Sequence, residues 1–395
     1  MSPLSAAVAG ITELLVETRR DLHRHPELSF QERRTAELCA RRCEELGFTV
    51  RTGVGTETGV IAALSSSAGD GPTLMVRADT DALPILERAT DGRPVESGSA
   101  GVMHACGHDG HVSMALGVAQ LLSERRDAWH GRLRMCFQPA EEVAGGAAPM
   151  VEAGAADGVD AVLGVHLWAP LDAGRVAITE GPIFGSADEF ALTVHGRGGH
   201  GGLPHTSVDP VVATAAVVTA LQTIASRETS PFDPVVVTLG RIEGGTAFNV
   251  IAEQVLLRGT VRALTKQVRE RTLERVAEIA RDVARAHRCA ATFERLAGCP
   301  PVVSDAGMAG LVRRAACAVL GEDRVDHASP VTVGDDVALF LDAAPGCYFL
   351  VGAGRPGVQR APHHHPEFDI DEACLPVGVE VLAQAALDVL RPAAG

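Results

Sequence analysis

Residues 72–84 read PTLMVRADTDALP. The apolar run Leu74–Val76 stops abruptly at Arg77, Asp79 and Asp81. A continuous apolar run that breaks into charged residues is the pattern of a strand buried on both faces, with a loop at its carboxyl end. The pattern recurs along the chain. GRLRMCFQPAEEVAGG (131–146) ends on Glu141 and Glu142, DAVLGVHLWAP (160–170) carries His166 near its end, and GCYFLVGAG (346–354) precedes the histidines at 363–365. Helical patterns such as QERRTAELCARRCEELG (31–47) and HVSMALGVAQLLSERR (111–126) alternate with these runs. Such alternation predicts an α/β fold, a doubly wound sheet with helices on both faces. Ligand sites in such sheets lie beyond the carboxyl ends of the strands, where these polar residues fall.

The middle of the chain follows a different order. EFALTVHGRGGH (189–200) reads as a strand, and DPVVATAAVVTALQTIASRE (209–228) as a helix with Asp209 at its N-cap and Pro210 at its first position. DPVVVTLGRIEGG (233–245) and EQVLLRGTVRAL (253–264) read as strands, TKQVRERTLERVAEIARDVARAH (265–287) as an amphipathic helix, and CAATFERL (289–296) as a last strand. The order β-α-β-β-α-β is the ferredoxin-like α+β plan. It predicts a small domain over 185–297, inserted into a larger one made of 1–184 and 298–395. A chain of 395 residues has the length for two domains.

The net charge of −15 argues against nucleic acid or an anionic membrane surface as a partner, although a local basic pocket can still take a small anion. The N-terminus lacks a basic start followed by an apolar core, and the longest apolar stretch, VVATAAVVTALQTIA (211–225), is short of a membrane span. A soluble, cytoplasmic protein is expected. The nine cysteines show no regular framework, which fits a reducing compartment, and most read as small buried hydrophobes. Cys106 alone sits in polar company.

That company is MHACGHDGHVSMALG (103–117). Cys106 and His108 are one residue apart at the start of a helix, so both can face one side of a turn, and the positive helix end favours a thiolate. Thiolate, imidazole and carboxylate together suit a borderline divalent metal. Each further donor group has a bland alternative: Glu141–Glu142 as a solvated loop, His166 as a core histidine, His363–His365 as a polar loop. Their joint placement at strand ends favours a metal site. The rival chemistry is a Cys106 nucleophile with His108 as its base.

The ordered motifs RRDLHRHPELSFQE, RADTDALPI, MHACGHDGHVSMALG, FQPAEE, GVHLW, GRGGHGGLPH, GGTAFNVIAEQVLLRGTVR and HHHPEFDIDE span nearly the whole chain. With them the chain resembles the two-metal aminoacylase and carboxypeptidase family, and is most similar to its hippurate hydrolases, N-acyl-amino-acid amidohydrolases and indole-acetyl-amino-acid hydrolases. The resemblance implies a metallopeptidase-like catalytic domain with an inserted lid and dimerisation domain. It implies Cys106, His108, Glu142, His166 and His364 as ligands of two divalent ions (zinc, manganese, cobalt or nickel), with His363 and His365 flanking the last. It implies Glu141 as general base. His200 of the inserted domain would stabilise the oxyanion across a dimer. Asn249 would bind substrate near the scissile bond, and Arg262 is a candidate for its carboxylate. The broader family places a histidine where Arg77 stands. Arginine stays charged and cannot ligate, so Asp79 is expected to orient the site while Cys106 supplies the missing donor. VGDDVALF (333–340) departs from the family pattern at Asp335 and Val337, in a region expected to line the pocket.

The expected activity is metal-dependent hydrolysis of the amide of an N-acyl amino acid, a small-molecule substrate, by a homodimer. A carboxypeptidase, dipeptidase or N-acyl-diaminopimelate-type deacylase of the same family, a cysteine hydrolase, and a metal-dependent binding protein without turnover stand as alternatives.

Overall fold

The computed structural model describes residues 3–90 and 92–391, in two compact units. The first comprises 1–183, 303–329 and 336–395, and the second 184–302 and 330–335.

The first unit is built on an eight-stranded sheet. In spatial order its strands are Thr49–Thr52, Val60–Ser65, Arg132–Gln138, Thr73–Asp79, Ala161–Asp172, Gly346–Gly354, Val176–Ile178 and Val325–His327. The four central strands run parallel. They are apolar on both sides because both faces are covered. Along Thr73–Asp79, Leu74, Val76 and Ala78 enter one core, while Met75 enters another. The first core is closed by the helices Pro3–Arg24, Arg33–Glu45, His108–Ser123, Ala306–Leu320 and Cys374–Val389. The short helices Ala147–Glu152 and Ala338–Ala343 close the second. This is the doubly wound α/β arrangement, with antiparallel strands added at its edges.

The register aligns the functional ends. Asp79 lies opposite Gln138, just before the Glu141–Val143 turn, and His166 lies opposite Leu350. The helix His108–Ser123 begins after Gly107, whose φ of +95° turns the chain where a side chain would press on Leu167. That helix is buried on nearly all sides, which explains why apolar residues on every face dominate 112–122.

The second unit is a four-stranded antiparallel sheet in the order Val235–Gly244, Gln254–Ala263, Ala187–His195, Ala290–Cys299. The helices Pro210–Thr223 and Lys266–Ala286 pack on it, which completes the ferredoxin-like plan. Asp209 caps the first helix by accepting from the Val211 and Val212 amides. The run Pro210–Glu228 is long and apolar enough to cross a membrane by length and composition alone, yet it puts Ala213, Val217 and Leu221 into this core. Buried Asp188 pairs with Arg269 at 2.7 Å, tying the long helix to the sheet. The unit also takes back 330–335, where the Gly185 amide donates to Val331 O. That return is invisible in the sequence because it has no hydrophobic period of its own.

Candidate metal centre

The side chains at the carboxyl ends of the parallel strands converge. The ligand atoms of Cys106, His108 and His166 lie within 4.8 Å of one another, as do those of Cys106, Glu142 and His364, and those of His108, Glu141 and Glu142. The trios share members, so these residues form one connected shell.

Backbone carbonyls decide which nitrogen each histidine presents. His108 Nδ1 donates to Asp81 O at 2.9 Å, and His166 Nδ1 donates to Leu167 O at 2.7 Å. Both bonds engage Nδ1 and leave Nε2 as the nitrogen that faces the shell. His166 Nε2 faces Cys106 Sγ at 3.6 Å. His108 Nε2 lies 3.8 Å from Glu141 Oε2, from Glu142 Oε1 and from Asp79 Oδ2. His108 Nε2 and Glu142 Oε1 are both buried with no hydrogen-bond partner. A buried imidazole nitrogen and a buried carboxylate oxygen left beyond hydrogen-bond reach of each other are costly unless a cation stands between them. The donor set therefore fits a divalent metal.

The three consecutive histidines take different partners, with His363 Nδ1 facing Cys106 Sγ at 3.8 Å. His364, held at φ +63° with its amide donating to Ala105 O, brings Nε2 to 3.3 Å from Glu142 Oε2. Hydrogen bonds to Cys106 and Glu142 push its imidazole up to about 10. His363 Nε2 instead accepts from the Ala169 amide, and its ring stacks on Trp168 at 4.9 Å. His365 Nδ1 accepts from the Glu367 amide. Burial, then neighbouring His111 and His363, push His166 down. Burial and Glu142 push the Cys106 thiol up, against hydrogen bonds from His108 and His364 that pull it down.

Asp79 belongs to the surrounding scaffold. One oxygen takes His111 Nδ1 at 2.6 Å and the other takes Arg77 Nη1 at 2.6 Å. His111 Nε2 accepts from the Leu167 amide at 2.8 Å, so neither of its nitrogens is open. Buried Arg77 also reaches Gln138 at 2.8 Å and Asp336 at 3.3 Å, and Asp336 accepts from the Ala147 amide at 3.0 Å. Val337 is fully buried beside Gly164.

A family model described as Peptidase family M20/M25/M40 matches residues 75–388. The chain belongs to this peptidase family. It is 39% identical to an N-acetylcysteine deacetylase of Bacillus subtilis over 95% of this chain and 97% of that one. It is 36% identical to an IAA-amino acid hydrolase of Arabidopsis thaliana over 96% and 86%. Among solved structures, a dinuclear metal-binding M20 peptidase from Bacillus subtilis superimposes with a TM-score of 0.84 at 35% identity, covering 97% of this chain and 99% of that one.

The remaining residues of interest in this M20 chain lie in the second unit. His200 is exposed on a two-residue strand opposite Val250, and the Gly201 amide donates to Asn249 O at 2.8 Å, so His200 and Asn249 are neighbours. His200 Nδ1 accepts from the Gly202 amide at 3.0 Å, which leaves Nε2–H of the neutral ring pointing away as a donor. Arg262 lies on Gln254–Ala263 opposite Val236, half-buried, and forms no ion pair among the described residues.

Sequence reasoning missed two carboxylates. Asp81 accepts from the Glu141 and Glu142 amides at 3.0 and 3.1 Å and from Ser29 Oγ at 2.7 Å. Glu32 accepts from the Ala140 and Phe30 amides, both at 2.9 Å, and from Thr58 Oγ1 at 2.8 Å. Ala140 and Ala144 flank the glutamate turn at φ +55° and +48°, a conformation alanine rarely adopts, and Glu32 holds the first of them there. The repeated aspartate of RADTDALP and the glutamate of SFQE were the available signals.

Proposed function

We propose that this M20 enzyme hydrolyses the amide bond of N-acyl amino acids, releasing a carboxylic acid and a free amino acid, with two divalent ions held by Cys106, His108, Glu142, His166 and His364. The observation that carries the reading is the buried, unpartnered His108 Nε2 facing Glu141 and Glu142 at 3.8 Å. The named relatives support the substrate class. The mixed sulfur, nitrogen and oxygen donors suit zinc, manganese, cobalt or nickel.

Divalent ions in this shell, when bound, supply positive charge that polarises the amide carbonyl and makes a water more acidic. Glu141, whose side chain is 10% exposed, takes the water proton and returns it to the departing nitrogen. Its turn is fixed by Asp81, so the carboxylate is positioned before substrate arrives. His200 donates Nε2–H to the developing oxyanion. In our reading the second unit is a lid and dimerisation domain, and one copy's His200 serves the other copy's site in a homodimer. Asn249 binds near the scissile bond, and Arg262 pairs with the substrate carboxylate. Free cysteines fit a reducing compartment, and we place the enzyme in the cytoplasm.

The test is Glu141→Gln on metal-loaded protein. Metal content stays at the wild-type level and turnover falls by about 10² or more. A variant that keeps over about a tenth of the wild-type rate is incompatible with Glu141 as the base.

A further inference from the structure

Phe30 is a residue the reaction scheme does not use. It is a non-glycine residue at φ +64°, which is an outlier for an aromatic side chain. The conformation is held from both sides. The Phe30 amide donates to Glu32 Oε1, the same oxygen that takes the Ala140 amide. The preceding Ser29 hydroxyl donates to Asp81, the same carboxylate that takes the Glu141 and Glu142 amides. Two independent tethers thus fasten the Phe30 turn to the glutamate turn.

What this strain presents is a ring left in water. Phe30 is 47% exposed, so its unusual backbone is not serving core burial. Val143, directly after the glutamate pair, is 52% exposed. A side chain added at Gly145 would begin 2.8 Å from Phe30 Cζ and 3.4 Å from Val143 Cγ2, so the two apolar groups meet over that glycine. An isolated exposed apolar residue needs no explanation, but a strained aromatic paired with a second one on the catalytic turn does.

We propose that Phe30 and Val143 form the acyl-group face of the substrate site and select aryl or branched acyl groups over acetyl. The inference rests on the N-acyl amino acid reading above. The apolar end of such a substrate needs an apolar surface beside Glu141, and the Phe30–Val143 pair is held on the turn that carries it.

The experiment compares kcat/KM for the N-benzoyl and N-acetyl forms of one amino acid, using metal-loaded wild type, Phe30→Ala, Phe30→Leu and Phe30→Gly. The benzoyl-to-acetyl ratio falls about tenfold or more in Phe30→Ala, chiefly through KM for the benzoyl substrate, and Phe30→Leu restores most of it. Phe30→Gly accepts the positive φ without strain, so it loses the ratio while remaining folded by thermal melting. A ratio within about twofold of wild type in the alanine and glycine variants overturns the proposal, as does an equal loss on both substrates. Failure of wild type to hydrolyse either substrate defeats the functional reading instead. In that case calorimetric binding of the same two compounds decides the subsite. Preference for the benzoyl compound in wild type that vanishes in Phe30→Ala supports it, and absence of preference in wild type overturns it.

Discussion

Asp81 gives the most demanding test of how the glutamate turn is positioned. It is 1% exposed, and each of its oxygens receives one peptide N–H, from Glu141 and from Glu142. Asp81→Ala orphans both amides. Both amides are only partly buried, so at about 0.5–1.5 kcal/mol for each hydrogen bond removed the turn loses roughly 1–3 kcal/mol of local stabilisation. Asp81→Asn keeps one acceptor but sets an NH₂ against the other amide, so about half of that loss is expected. Because Glu142 rides on this turn, metal affinity falls by about 10–100-fold in Asp81→Asn. Competition with a calibrated chelator measures that affinity, and urea unfolding of metal-free protein measures stability separately. Ser29→Ala is the control: it removes only the hydroxyl bond at 2.7 Å and leaves both amides engaged, so affinity stays within about threefold of wild type. Metal affinity and turnover within about twofold of wild type in Asp81→Asn would refute the idea that this carboxylate sets the turn.

Two other perturbations probe the scaffold. Gly146→Ala would begin a side chain 1.6 Å from Pro139 O, a backbone clash that must displace the glutamate turn; we expect loss of most activity, and a crystal structure showing an unmoved turn would contradict this. His23 is buried between Asp109 Oδ2 at 2.8 Å and Glu87 Oε1 at 3.0 Å, with Arg19 and His104 nearby. Burial opposes its charge, but the two carboxylates win and raise its pKa above 6.5. The stabilisation is therefore complete below about 6.5 and is lost as pH rises through the raised folded value. His23→Gln should lack that alkaline limb in unfolding measurements across pH, and an unchanged pH profile would be the contrary result.

Much of the architecture is legible in the sequence because burial on both faces leaves an uninterrupted signature. Leu74–Val76 and the all-buried Gly346–Gly354 read as central strands for that reason. The second unit reads through its change of period, from alternating strands to the amphipathic helix Lys266–Ala286. Donor residues such as Cys106 and His108 announce themselves by type and spacing. Glu32 and Asp81 do not, because their partners are mostly backbone amides far along the chain, and every residue but proline supplies an amide. The resemblance singled out His364, and the fold sets it apart from its neighbours through one positive φ and one bond to Ala105 O, which no spacing encodes. Arg77 was recognised as unable to ligate, yet its contacts with Gln138 and Asp336 bring together segments that only the folded sheet juxtaposes.

The most direct measurement is amine release from N-acetyl, N-benzoyl and indole-acetyl amino acids by manganese-loaded enzyme, beside a chelated sample. The account predicts release that chelation abolishes and added metal restores, with Glu141→Gln inactive under both conditions. Release that survives chelation, or none from any substrate with metal bound, would contradict it.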